Sequence, residues 1–384
     1  MSQPASAPVP RVPIYRGVQA LRLVSALTVV ALHACYWLNR DASSTGRAPS
    51  SETLGTLCVA VFFLISGFIV VRVVDSGQEP DWRTFALGRA IRILPLAWAM
   101  TTIKIVAAIT VPSALFDGGL APARILSSYL FLPSRDPDGT IRMLWGVEWT
   151  LVFEIAFYVL VCVAIACRID PLLIATPVLI LTAVLSVWQS ATGSVLWFYA
   201  DPIVLFLLVG MAIGRAASAR RPLEAVIIPS AAAAVFAFVT AARGEMSLTI
   251  AALVFVTLTA AFALLVTAEG RLGRMVPNWV VHGGDAAFAL YLTHPLIAQA
   301  LPRLLGTTRW LVIPWWLVVL VSVIASFGLS IVVHRWLDAP VGRALRRVLL
   351  PHRGSGSVLQ TRRTRPRVIR KPDEPAPRDA SRDR

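Results

Sequence analysis

The sequence predicts an all-α polytopic membrane protein, a bundle of about ten transmembrane helices with both termini on one side. Three observations carry that prediction. Of 384 residues, 57% are hydrophobic and 15% charged, and mean hydropathy is +0.70, so there is too little polar surface to wrap a soluble core. Apolar runs of about 20 residues recur along the chain, and about 20 residues at 1.5 Å each cross a bilayer. Although the net charge is +15, the basic residues sit in alternate connections and in the tail. That is the pattern of a bilayer protein, not of a nucleic-acid binder.

Taken in order, spans are expected over residues 18–37, 54–74, 86–112, 147–167, 171–188, 197–214, 223–241, 246–268, 284–304 and 311–336. An even count returns the C-terminus to the side of the N-terminus. Arg11, Arg16, Arg72, Arg83, Arg89, Arg168, Arg215, Arg220, Arg221, Arg271 and Arg274 then share that side. The charge bias makes it cytoplasmic, N-in and C-in, in a cell (inner or plasma) membrane. Residues 113–146 form the longest outer connection, and "ARILSSYLFLPS" within it is apolar but too short to span. It predicts a re-entrant or interfacial half-helix.

The first apolar run is too long for a signal-peptide core, and no small-residue cleavage site follows it. Residues 1–15 and 348–384 are expected as cytoplasmic tails, leaving 16–347 as the transmembrane domain. The second tail, rich in Arg, Pro, Asp and Ser, should be disordered and basic, beside anionic headgroups. Cys35, Cys58, Cys162 and Cys167 lie in apolar runs with neither metal nor disulfide spacing, so they read as small hydrophobes and no metal is expected.

Ionisable groups within spans are costly and so are functional candidates. Arg22 and His33, eleven residues apart, project from one face of a helix, about 16 Å apart along its axis. A snorkelling arginine and a hydrogen-bonded core histidine would fit the same pattern. Arg89 and Arg92 share one face at the cytoplasmic mouth of the third span, where two guanidinium forks could hold phosphates or simply anchor the topology. Glu154 lies well inside the fourth span and needs a cation or a proton. Glu148, near the outer end, is expected to reach water. Ser66 and Gly67 form a small pair suited to close helix approach. Pro295 should kink the ninth span beside Tyr291 and His294.

Together these groups resemble a known family. The arginine and histidine of span one, "FFLISGF", Arg89-x-x-Arg92 with Pro95, "WTLVFEIAFY", "YLTHP" and "HRWLDAP" are similar, in order and spacing, to the signatures of the acyltransferase 3 family of integral membrane acyltransferases. "WTLVFE" and "GDAAFALYLTH" are most similar to its exopolysaccharide-production branch. The resemblance implies transfer of an acyl group, usually acetyl, from cytoplasmic acyl-coenzyme A to a saccharide hydroxyl, without metal. The bundle would act alone or with a separate partner such as a polysaccharide-assembly protein.

By motif position, His33 is implied as the catalytic histidine with Glu154 beside it, Arg22, Arg89 and Arg92 as the acyl-donor site, and Ser66, Tyr291 and His294 as substrate contacts. Cys58, Ala60, Ala287, Phe288 and Asp338 depart from the family's usual residues. The rival reading is a proton-coupled secondary transporter of a sugar or glycan, with Glu154 and His33 as proton carriers. Against it stand the arginine pair confined to one mouth and the lack of a visible repeat. A non-catalytic scaffold would leave the ionisable groups without a role.

Overall fold

A computed structural model describes residues 13–40, 48–49, 51–79, 81–110, 120–136, 139–189, 193–219, 224–302 and 313–350. Arg11, Arg220, Arg221, residues 1–12 of the first tail and 351–384 of the second lie outside the described residues. The chain is a helical bundle. Among the described residues its extended pairing amounts to one bridge, Arg135 with Ile141.

Helices lie over the expected spans, although the sixth, 197–214, opens with 3₁₀ turns at Val195–Tyr199 and Pro202–Val204 before its α-helix begins at Leu205. α1 (Arg16–Arg40), α2 (Glu52–Asp75) and α3 (Trp82–Thr110) are followed by a short α4 (Pro122–Tyr129) in the outer connection. Then come α5 (Trp149–Ala166), α6 (Pro171–Leu185), α7 (Leu205–Ala219), α8 (Glu224–Ala242) and α9 (Leu248–Thr267). The chain closes with α10 (Glu269–Met275), α11 (Asn278–Asp285), α12 (Ala287–Ala298), α13 (Trp315–Val333) and α14 (Ala339–Leu349). Among the described residues, seven helical stretches are long and apolar enough to cross a membrane, and Pro202–Ser218 and Val226–Ala242 are shorter apolar helices. The ninth expected span is composite: α11 and α12 meet at Ala286, and Pro295 lies inside α12. Exposed Leu173, Leu253, Leu264 and Ile324 ring the bundle as a lipid-facing surface would.

Small residues set the tightest crossing. A Cβ on Gly67 of α2 would collide with the Leu207 carbonyl of α7, and one on Gly210 with the Leu64 carbonyl, so the two backbones touch reciprocally. Gly214 continues that seam against Phe68 and Val71. Phe206, Phe236 and Phe255 then pack α8 and α9 onto α7, with Phe206 and Phe255 stacked at 4.6 Å.

Charges clamp the helix ends. Glu269 caps the start of α1 from another element, accepting from the backbone of Arg16 at 2.6 Å and of Gly17 at 3.0 Å. Arg215 ties α7 to Asp170 (2.9 Å from its Nη2) and to Asp75 (3.1 Å from its Nε). What the sequence presents as a topology-setting charge is thus also a three-helix staple.

Candidate active site

Six of the expected residues gather round one cavity. Arg22, Ser66, Arg89, Arg92, Glu154 and Tyr291, from α1, α2, α3, α5 and α12, line a space of about 70 Å³, with Phe62, Thr150 and Tyr158 among its other walls. Arg22 is 9% exposed, and its Nη1 donates to Gln19 at 3.3 Å, whose amide in turn reaches Asp285 at 2.9 Å. Arg89 is held by Glu79 at 3.1 Å and lies over the rings of Phe85 and Tyr158. Arg92 has no hydrogen-bond or ion-pair partner among the described residues. Glu154 accepts from Ser66 Oγ at 2.9 Å and from the Tyr158 hydroxyl.

The small pair in "FFLISGF" therefore divides its work: Gly67 closes the helix crossing while its neighbour Ser66 points to the cavity. Three guanidiniums against Glu154 and Glu79 leave the space net cationic, and planar forks of this kind match phosphate oxygens.

His33 lies elsewhere. It lines a second chamber of about 890 Å³, bounded also by Tyr36, Trp37, Lys104, Arg142 and Trp145. The outer connection supplies much of its wall, because α4 and the segment after it fold back as a roof fixed by the buried Arg124–Asp136 pair. The expected half-helix is thus a short helix inside that roof, with Trp98 of α3 donating to its Tyr129 carbonyl at 2.9 Å.

The imidazole is held in one tautomer. His33 Nδ1 is 2.9 Å from the Val29 carbonyl, which only accepts, so the hydrogen sits on Nδ1 and neutral Nε2 keeps its lone pair. The expected pairing of Glu154 with this ring is replaced by the backbone: the carboxylate's hydrogen-bond partners are Ser66 and Tyr158, in the other cavity.

His294 backs His33, ring to ring at 4.9 Å and 68°. Its orientation follows from the proline beside it. Pro295 has no N–H to give the carbonyl four residues back, which is that of Tyr291, and His294 Nδ1 lies 2.7 Å from that oxygen. Its buried Nε2 is left with no partner among the described residues.

Between the two spaces stands a thin wall. The Tyr291 hydroxyl donates to the Val147 carbonyl at 2.9 Å and lies 2.9 Å from Thr150 Oγ1, and its ring meets Phe62 at 5.7 Å. Tyr291 lines the cationic cavity and Val147 the His33 chamber.

Two groups depart from, or escape, the sequence reading. Glu148 does not reach water: it is 1% exposed, accepts from Thr101 Oγ1 at 2.6 Å, and its other oxygen is unpartnered among the described residues. α3, through Thr101, packs against the end of α5 that hydropathy leaves open. Glu79 was not singled out, since it lies in the connection before α3, and only its contact with Arg89 marks it.

The arrangement is that of a multi-pass membrane protein with a guanidinium-lined pocket on one side of a partition and a histidine-bearing chamber on the other. Residues 15–335 match the acyltransferase domain of the acyltransferase 3 family, and the chain belongs to that family. It is 31% identical over 166 residues to the exopolysaccharide production protein ExoZ of Rhizobium meliloti (strain 1021), covering 42% of this chain and 51% of that protein. It is 29% identical over 151 residues to the acyltransferase MdmB of Streptomyces mycarofaciens, covering 39% of this chain and 38% of that one. The matched stretch thus spans about half or less of these curated relatives. No solved structure matches the chain.

Proposed function

We propose that the protein is an O-acyltransferase that moves an acetyl group from cytoplasmic acetyl-coenzyme A to a hydroxyl of an exported or cell-surface saccharide, with both termini in the cytoplasm. The observation that carries this reading is the division of labour along α1. Arg22 joins Arg89 and Arg92 in a cationic pocket, while His33, three turns on, opens into a roomy chamber with Tyr36, Trp37 and Trp145 in its walls. Aromatic faces and a polar rim suit a sugar, and guanidiniums suit the donor's phosphates. Family membership and the word exopolysaccharide in the name of ExoZ point the same way.

In this mechanism Arg22, Arg89 and Arg92 hold the phosphates, and the pantetheine arm extends toward His33. At about 70 Å³ the cationic pocket is far below the ~300–1,000 Å³ of ordinary ligand sites. Donor binding therefore widens it and parts the Tyr291–Phe62 wall. His33 Nε2 takes the proton of the acceptor hydroxyl as its oxygen attacks the thioester carbonyl. The C–S bond breaks, and the imidazolium returns the proton to the departing thiolate, giving coenzyme A and the sugar ester. His33 acts as base, not as acyl carrier.

Purified protein incubated with labelled acetyl-coenzyme A and an oligosaccharide acceptor should release coenzyme A and label the sugar. Uptake of sugar into vesicles without label transfer would favour a transporter instead. Comparing acetyl signals in extracellular polysaccharide from a deletion strain and its parent by NMR would identify the acceptor.

A further inference from the structure

The closing helix brings a further guanidinium against Gly88, the residue before Arg89 of the cationic cavity. We infer that Arg346 of α14 binds the outermost phosphate of the acyl-coenzyme A donor, the 3′-phosphate of its adenosine, an assignment that rests on the donor reading above.

The path of the chain places it there. After α13 the helix widens into one π turn, His334–Asp338, closed by His334 Nδ1 at 2.8 Å from Asp338, and α14 then packs against α3. Arg346 Nη2 donates to the Gly88 carbonyl at 3.4 Å, one residue before Arg89. Its charge is within electrostatic reach of Glu79, Arg89 and Arg92.

The balance of charge at this spot points to a ligand. Three guanidiniums converge, Glu79 is engaged by Arg89, and neither Arg92 nor Arg346 has an ion-pair partner among the described residues. Like charges gathered without counterions repel one another in the empty protein, and a polyanion relieves that repulsion. Arg346 is solvent-exposed whereas Arg22 is buried and Arg89 nearly so, which orders the cations from the rim inward. The rim position meets the part of the donor farthest from its thioester, and that is the adenosine 3′-phosphate. Arg343 and Arg347 flank it on the same helix, also exposed, and serve as internal controls. The matched family domain ends at residue 335, so this contact comes from outside it.

The test is calorimetric titration of the purified full chain, in neutral detergent without anionic lipid, with coenzyme A and with 3′-dephospho-coenzyme A. The wild type should prefer coenzyme A by about tenfold, the size of one charge-assisted hydrogen bond. Arg346→Ala should bind both ligands equally, at the affinity the wild type shows for the dephospho form. Arg346→Lys should recover part of the preference, and Arg343→Ala should keep all of it. A wild-type preference below about twofold, or a preference retained in Arg346→Ala, overturns the assignment and leaves the donor reading standing if Arg89→Ala still weakens coenzyme A. Coenzyme A that fails to bind the wild type at all would overturn both.

Discussion

The two cavities of this bundle are built on different plans. The cationic one is small, about 70 Å³, and most of its charges are held by other side chains: Arg22 by Gln19, Arg89 by Glu79, Glu154 by Ser66 and Tyr158. The His33 chamber is about 890 Å³ and is walled in part by α1 and α2 and in part by the connection between α3 and α5. A pocket most of whose groups are already engaged internally selects a ligand able to displace those partners, such as Glu79 on Arg89. A chamber walled in part by a connection can change what it admits by changing the loop, with the helices and the histidine left in place.

The sharpest way to break the contrast is at His33. His33→Ala should lower acyl transfer by about 10²–10⁴-fold while coenzyme A affinity stays at the wild-type value. Turnover close to normal would move the reacting centre out of the His33 chamber. Next in size, Arg89→Ala combined with Arg92→Ala should weaken donor binding by about 10²-fold, two charged contacts being lost, and leave acceptor binding untouched. Unchanged donor affinity would reduce the pair to topology anchors.

A smaller effect tests the region near the partition. Thr101→Val strips the buried Glu148 carboxyl of its donor and should cost about 1–3 kcal/mol, read as a lower thermal midpoint in detergent. A midpoint equal to wild type would mean that water reaches Glu148 after all. Smallest of all, Tyr291→Phe removes the hydroxyl that ties the wall to Val147 and Thr150, worth about 1 kcal/mol. Acceptor-independent hydrolysis of acetyl-coenzyme A should rise about fivefold, and an unchanged rate would show that the rings alone seal the wall.

Where the chain could be read in advance, local periodicity was enough. Most of the apolar stretches, the shared face of Arg89 and Arg92, and the close approach at Gly67 follow from spacing within one helix. The reciprocal glycines of α7, Gly210 and Gly214, carried a small-xxx-small signal that the sequence reading did not single out. What spacing could not give is pairing between distant segments. Glu148 reads as wet because hydropathy says nothing about a neighbouring helix packing its Thr101 against a helix end. Glu154 and His33 face different spaces because α5 and α1 present those residues on opposite sides of the Tyr291 wall. Arg346 reaches the Gly88 carbonyl, and Glu79 reaches Arg89, only through tertiary packing across 258 and 10 positions of chain.

α1 carries a cation for one compartment and an imidazole for the other, so it works as a ruler whose graduations are helical turns. Inserting one alanine between them would swing everything beyond it by about 100° and turn the ring away from its chamber. Four inserted residues, roughly one full turn, would restore its direction and lengthen the reach by about 6 Å. Substitutions can therefore recolour the ruler's surface, but single insertions would misalign its two graduations.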